Sequence, residues 1–228
     1  MSELSEDSSL TINFFDINGG YEEDAQIDSE KNYLHLESPM RIIDLYISEN
    51  IKDFQKKELD QNTQYTFKYE IKKNNEIAID CYIINNLSVS HDCTAHSNAY
   101  IVFCNLEKES TCELLDNIIV YIKNNGSVGV KTYVIGVFKE SINEDKTYDK
   151  IQHLLGEHEL DFEYHEMYLC DKDKVQMINK EYPNAESMQD VFSDIFESIY
   201  EGKYPHLSNA FKLKEDNEDK SFAMCKIF

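Results

Sequence analysis

The stretch from Tyr65 to Ile84, YTFKYEIKKNNEIAIDCYII, decides the fold. Two β-favouring runs, Tyr65 to Lys72 and Glu76 to Ile84, flank Lys73-Asn74-Asn75. Aromatic and β-branched residues suit a pleated strand, and paired asparagines tolerate the backbone of a tight turn. An antiparallel hairpin is therefore expected, and a parallel pairing there would contradict the reading. Downstream, Ala99 to Cys104 (AYIVFC) is continuously apolar, the mark of a strand buried on both faces. Lys131 to Phe138 (KTYVIGVF) is a second such strand, and Glu163 to Leu169 a last one.

Helical periodicity fills the intervals. Thr111 to Asn124 places Leu114, Leu115, Ile118, Ile119 and Ile122 on one face, and Gly126 follows as a helix stop. Asp145 to Glu157 repeats the pattern with Ile151, Leu154 and Leu155. Glu186 to Tyr200 closes it with Met188, Val191, Phe192, Ile195, Phe196 and Ile199. Upstream, Leu10 to Ile17 reads as a strand that stops at Asn18-Gly19-Gly20. Ser38-Pro39 opens a helix carrying Ile42, Ile43, Tyr46 and Ile47. A hairpin followed by βαβαβα predicts a three-layer α/β/α domain. Its sheet is expected to be mostly parallel and six-stranded, with one antiparallel edge strand.

Composition narrows the function classes. The 228 residues suit one domain, and 22 Lys+Arg against 44 Asp+Glu give a formal charge of −22. That balance excludes wrapping of nucleic acid and electrostatic docking to anionic lipid, both of which need cations. With 41% hydrophobic and 12% aromatic residues, a packed core is expected. The organisation predicted is a disordered N-terminus over 1–9, a domain over 10–202 with an acidic loop at 18–32, and an acidic tail over 203–228. Six cysteines without a CxxC pair read as free thiols in a reducing compartment. Met1 to Ser9 has no signal-peptide pattern, and no apolar run reaches the ~18 residues of a membrane span. A cytoplasmic protein is the expectation.

The order of elements, with Phe67-Lys68-Tyr69-Glu70-Ile71, Ile77-Ala78-Ile79, Ala99 to Cys104, Lys108-Glu109-Ser110 and Val134-Ile135-Gly136, resembles the Ras superfamily of small GTPases, nearest its Rab branch. The resemblance implies a nucleotide site, and each motif can be checked. The phosphate loop G-x-x-x-x-G-K-[ST] falls on Asn18-Gly19-Gly20-Tyr21-Glu22-Glu23-Asp24, which keeps Gly19 and Gly20 and puts acids where the cation should be. Thr63 lies within one residue of the place from which switch I lends a Thr to Mg²⁺. The Asp-x-x-Gly motif and its following Gln fall on Ile83, Asn86 and Leu87, and a leucine cannot orient water. The base-reading Asn-Lys-x-Asp falls on Val137-Phe138-Lys139-Glu140, leaving Glu140 to accept from a guanine edge; Ser-Ala-Lys falls on Tyr168-Leu169-Cys170. Gly19, Gly20, Thr63, Asn86 and Glu140 are thus the degenerate nucleotide-site positions.

The last four residues, Cys225-Lys226-Ile227-Phe228, fit a C-a-a-X box, with Phe favouring geranylgeranyl on Cys225. The tail before it is acidic at Glu215 to Asp219, so one prenyl chain without a basic second signal predicts weak, reversible membrane binding. His91-x-Cys93-x-x-His96 offers only three metal ligands and reads as a polar loop. His153, His158 and His165 read as surface.

The function expected is that of a pseudo-GTPase: a protein-binding or trafficking and signalling scaffold with no catalytic residue, no metal site and no cofactor. Its partner is expected to be a protein, a basic one on the strength of the −22 charge. A divergent GTPase using GTP/GDP and Mg²⁺ is the first alternative. A non-GTPase doubly wound binding module, flavodoxin-like or receiver-like, is the second.

Overall fold

The computed structural model describes residues 9–15, 39–59, 62–71, 75–84, 96–106, 110–138, 147–158, 161–169 and 185–204. In chain order the elements are β1 (Ser9–Phe15), α1 (Pro39–Asn50), β2 (Phe54–Leu59), β3 (Asn62–Ile71), β4 (Asn75–Ile84) and β5 (Ala99–Asn105). They continue with α2 (Ser110–Asn125), β6 (Lys131–Phe138), α3 (Thr147–His158), β7 (Phe162–Tyr168), β8 (Glu186–Ser187) and α4 (Met188–Lys203). The strands form one mixed eight-stranded sheet in the order β2-β3-β4-β1-β5-β6-β7-β8.

The hairpin is antiparallel, in register from Asn62 opposite Ile84 to Ile71 opposite Asn75. From β4 through β8 every pairing is parallel. Crossover segments feed these parallel strands, so both faces of the middle are covered. Every residue of β5 is buried, as its unbroken apolar run requires. Alternation divides the strands between two cores. Ile12, Phe14, Ile101, Phe103, Ile135 and Val137 face α1 and α4. Phe15, Val102, Cys104, Val134 and Phe138 face α2 and α3.

The first core is aromatic. Tyr46 of α1 lies 4.5 Å from Phe192 of α4, and Phe192 lies 5.6 Å from Phe196 (ring centroids). Phe14 and Phe103 bring the sheet to them, stacked at 6.0 Å. Offset and edge contacts of this kind add about 0.5–1.5 kcal/mol per pair beyond burial. Gly136, in the middle of β6, has a spatial reason. A Cβ there would stand 2.6 Å from the Tyr164 hydroxyl and 2.8 Å from the Leu106 side chain.

Three expectations change. The sheet has eight strands where six were expected, because β2 and β8 extend its ends. The antiparallel strand β3 is consequently not at the edge; β2 pairs with it, Phe54 opposite Phe67 through Leu59 opposite Asn62. Glu186 does not begin the last helix: Glu186 and Ser187 pair with β7, and α4 starts at Met188. The Ser187 hydroxyl accepts from the Asp190 amide at 3.2 Å and caps the helix. Among the described residues no helix is long and apolar enough to cross a membrane.

Candidate functional site

In an open α/β sheet, ligands bind beyond the carboxyl ends of the parallel strands, where neighbouring connections leave in opposite directions. That point lies between β1 and β5 here, because the chain leaves β1 toward the β4 side and leaves β5 toward β6. The described residues at these ends are apolar. Phe15, Ile84, Leu106 and Phe138 are fully buried, and Asn105 is the polar residue among them. Phe15 packs 5.9 Å from both Tyr100 and Tyr121 (ring centroids). Main-chain bonds close the ends: the Leu106 amide donates to Val137 at 2.8 Å and the Leu169 amide to Phe138 at 2.8 Å. The last two residues of β1, β4, β5, β6 and β7 include no acidic or basic side chain.

Of the expected site positions, Thr63 lies on a described residue. It stands in β3, 5% exposed and directly opposite Ile83 of β4. The register therefore brings together the two places where the resemblance implies Mg²⁺ ligands. They hold a buried threonine beside a fully buried isoleucine. No carboxylate is offered there, so this pair does not fit a hydrated Mg²⁺. Val137 and Phe138, where base recognition was expected to begin, are fully buried core residues of β6. Gly19, Gly20, Asn86, Glu140 and Cys225 lie outside the described residues. So do the acidic stretch 21–31, His91 and Cys93. No group of three or more His, Cys, Asp or Glu side chains is placed to hold a metal ion among the described residues.

A polar cluster that the sequence reading missed stands at the β6–β7–β8 end. His165 was expected on the surface, yet its side chain is 9% exposed. Alternation along β7 turns Glu163, His165 and Met167 to the α4 face, and the ring lies stacked 6.3 Å from Tyr133. Its Nδ1 is 3.0 Å from the Glu186 carboxylate, and its Nε2 is 3.2 Å from Glu163. The second contact is an ion-pair distance without hydrogen-bond alignment. Lys131 donates to Glu163 and lies over the Tyr133 ring. Burial works to raise the Glu163 carboxyl, but Lys131 and His165 outweigh it and hold it below the ordinary value. The Lys131 ammonium is raised in turn by that hydrogen bond. The two carboxylates meet opposite nitrogens of one ring, so they cannot converge on a single cation.

A second tie joins α1 to the β2 end. The Tyr65 hydroxyl donates to Asp44 at 2.8 Å, and Lys56 reaches the same carboxylate at 3.4 Å while lying over the Tyr65 ring. Burial is the main cause that pushes the Tyr65 phenol up to about 12; Lys56 opposes it and Asp44 adds to it. Beside this tie runs a groove of about 970 Å³, with Tyr46, Ile51, Phe54, Phe67 and Tyr69 in its wall.

The chain is an α/β protein built on a mixed eight-stranded sheet with four helices among the described residues. Compared with known proteins, it matches no protein-family model and no curated protein sequence.

Proposed function

We propose that the chain is a small-GTPase-like protein of the Rab/Ras type that works without nucleotide chemistry, as a protein-binding scaffold in trafficking or signalling. The antiparallel β3–β4 hairpin carries this reading. With β2 and β8 set aside, the sheet is six strands, β3-β4-β1-β5-β6-β7, with the one reversed strand at its edge. A wholly parallel module of the second alternative lacks that hairpin. The pseudo-GTPase part rests on what occupies the site positions. Ile83 stands opposite Thr63 where a metal carboxylate is needed, and Val137 and Phe138 are committed to the core. Acids at Glu22, Glu23 and Asp24 would repel a triphosphate at the phosphate loop.

Titration with GTP and GDP in the presence of Mg²⁺, read by thermal shift, tests this directly. A ligand at a hundred times its Kd stabilises by about 2.7 kcal/mol, or roughly 5–10 °C for a domain of this size. No shift is expected; a shift of that size would favour the divergent GTPase. Reversible membrane attachment through Cys225 belongs to the same reading. It predicts isoprenoid label on the wild type that is lost in Cys225→Ser.

A further inference from the structure

We propose that His165 is a proton-operated clasp: a charged ring ties β8 to β7, and a neutral ring lets that tie loosen. The proposal does not depend on the small-GTPase-like reading, because none of the residues involved is a nucleotide-site position. The placement of the ring carries it. Glu186 of β8 stands 3.0 Å from Nδ1, and Glu163 of β7 stands 3.2 Å from Nε2. An imidazolium carries a proton on each nitrogen, whereas a neutral imidazole carries one. Only the charged ring can therefore turn a proton toward both carboxylates. In either neutral tautomer a lone pair faces a carboxylate, and the two repel.

The groups around the ring decide which partner gives way. From β6, Lys131 donates to Glu163 and lies over Tyr133, whose ring stacks 6.3 Å from His165. From α4, Ser198 accepts from the Tyr133 hydroxyl at 3.0 Å, and Asp190 accepts from the Ser187 hydroxyl. Asp194 and Glu197, farther along α4, act on Tyr69 of β3. Asp161, just before β7, acts on Lys131 and Tyr133. Glu163 thus keeps Lys131 whatever the ring does. The Glu186 carboxylate has the ring as its one hydrogen-bond partner among the described residues. A neutral ring with its proton on Nδ1 still bonds Glu186, but without the ring's charge; with the proton on Nε2 it loses that bond. The β7–β8 ladder pairs only Met167 with Glu186 and Tyr168 with Ser187, so a weaker side-chain tie is felt at once.

Imidazole is suited to such a clasp because its ordinary state changes charge between pH 5 and 8. A lysine or arginine at this position would stay charged across that range. The coupling is visible from the carboxylate side as well. After Lys131, His165 helps to hold the Glu163 carboxyl below its ordinary value, and that interaction favours the charged ring in return. Burial opposes charge on the ring, and the two carboxylates offset that cost. The clasp is therefore closed toward pH 5 and loosens as pH rises.

Heteronuclear NMR on the full chain from pH 5 to 8 tests this by following the His165 ring nitrogens together with the amides from Glu186 to Asp190. Ring and amides are expected to change along one titration curve. Amide protection over Glu186 to Asp190, taken relative to the unstructured rate at each pH, is expected to fall about tenfold as the ring loses its proton. Protection in β5 is expected to stay constant. His165→Gln should remove the pH dependence. Glu186→Gln keeps the shape of the contact without its charge and should move the ring's midpoint to lower pH, which answers the same question if His165→Gln does not fold. A ring that titrates while the β8 amides stay unchanged would overturn the proposal. So would a ring that holds one protonation state throughout, a midpoint unmoved in Glu186→Gln, or a pH dependence that survives His165→Gln.

Discussion

At one end of the sheet β8 contributes two residues, and at the other β2 contributes six. The short end is sealed by side chains: His165, 9% exposed, bridges Glu163 of β7 and Glu186 of β8, and Ser187 caps α4. The long end is held by its ladder to β3, by the Tyr65 hydroxyl on Asp44 and by the exposed Lys56–Asp44 pair. The His165 ring is shielded from water while its two carboxylates are partly exposed, and the Lys56–Asp44 pair is partly exposed on both sides and exchanges with solvent at little cost. The β8 end is built to stay closed.

Substitution at the sealed end has the largest expected effect. His165→Ala removes the bridge between the Glu163 and Glu186 carboxylates, at an expected cost of about 2 kcal/mol in chemical denaturation. A cost below about 0.5 kcal/mol would erase the difference between the ends.

The acid limb of stability sharpens the same point. Glu163 titrates lower in the folded chain than its ordinary value of 4.5. Its contribution is therefore fully present above that value and is lost as pH falls through the lower folded value. Being partly exposed, it contributes roughly 0–1 kcal/mol. Glu163→Gln should flatten stability against pH below 4.5. Equal acid slopes in the two proteins would remove Glu163 from the cluster's electrostatics.

Lys56→Ala, at the open end, has the smallest expected effect, a few tenths of a kcal/mol. That corresponds to about 1 °C in Tm for a domain of this size. A loss above about 1 kcal/mol would mean that the β2 end is held as firmly as the β8 end.

The buried elements were the legible ones. The run Lys131 to Phe138 is β6 to the residue, and of the five positions expected on the apolar face of α2, Leu115, Ile118, Ile119 and Ile122 are buried while Leu114 is 37% exposed. The asparagine turn signal at 73–75 led to the expectation of an antiparallel hairpin, which the β3–β4 register shows. β2 escaped because none of its side chains is buried, so Phe54 to Leu59 carries no alternation of apolar and polar residues. β8 escaped because two residues have no period, and Met188 continues directly into a strong helical pattern. The positions at which the resemblance implies a nucleotide site could be aligned in sequence. That Thr63 and Ile83 are direct partners needed the register.

Sequence by itself determined the class, a sheet of buried apolar strands alternating with amphipathic helices, because burial leaves a periodic trace along the chain. It also determined the acidity and contains no G-x-x-x-x-G-K-[ST] motif. Tertiary structure alone decided how the sheet ends. It set the His165 ring, 9% exposed, between two carboxylates and left the side chains of β2 unburied, Phe54 among them. The reason is physical: a side chain's neighbours across a sheet come from residues far away in the chain, so edge chemistry has no local pattern to leave behind.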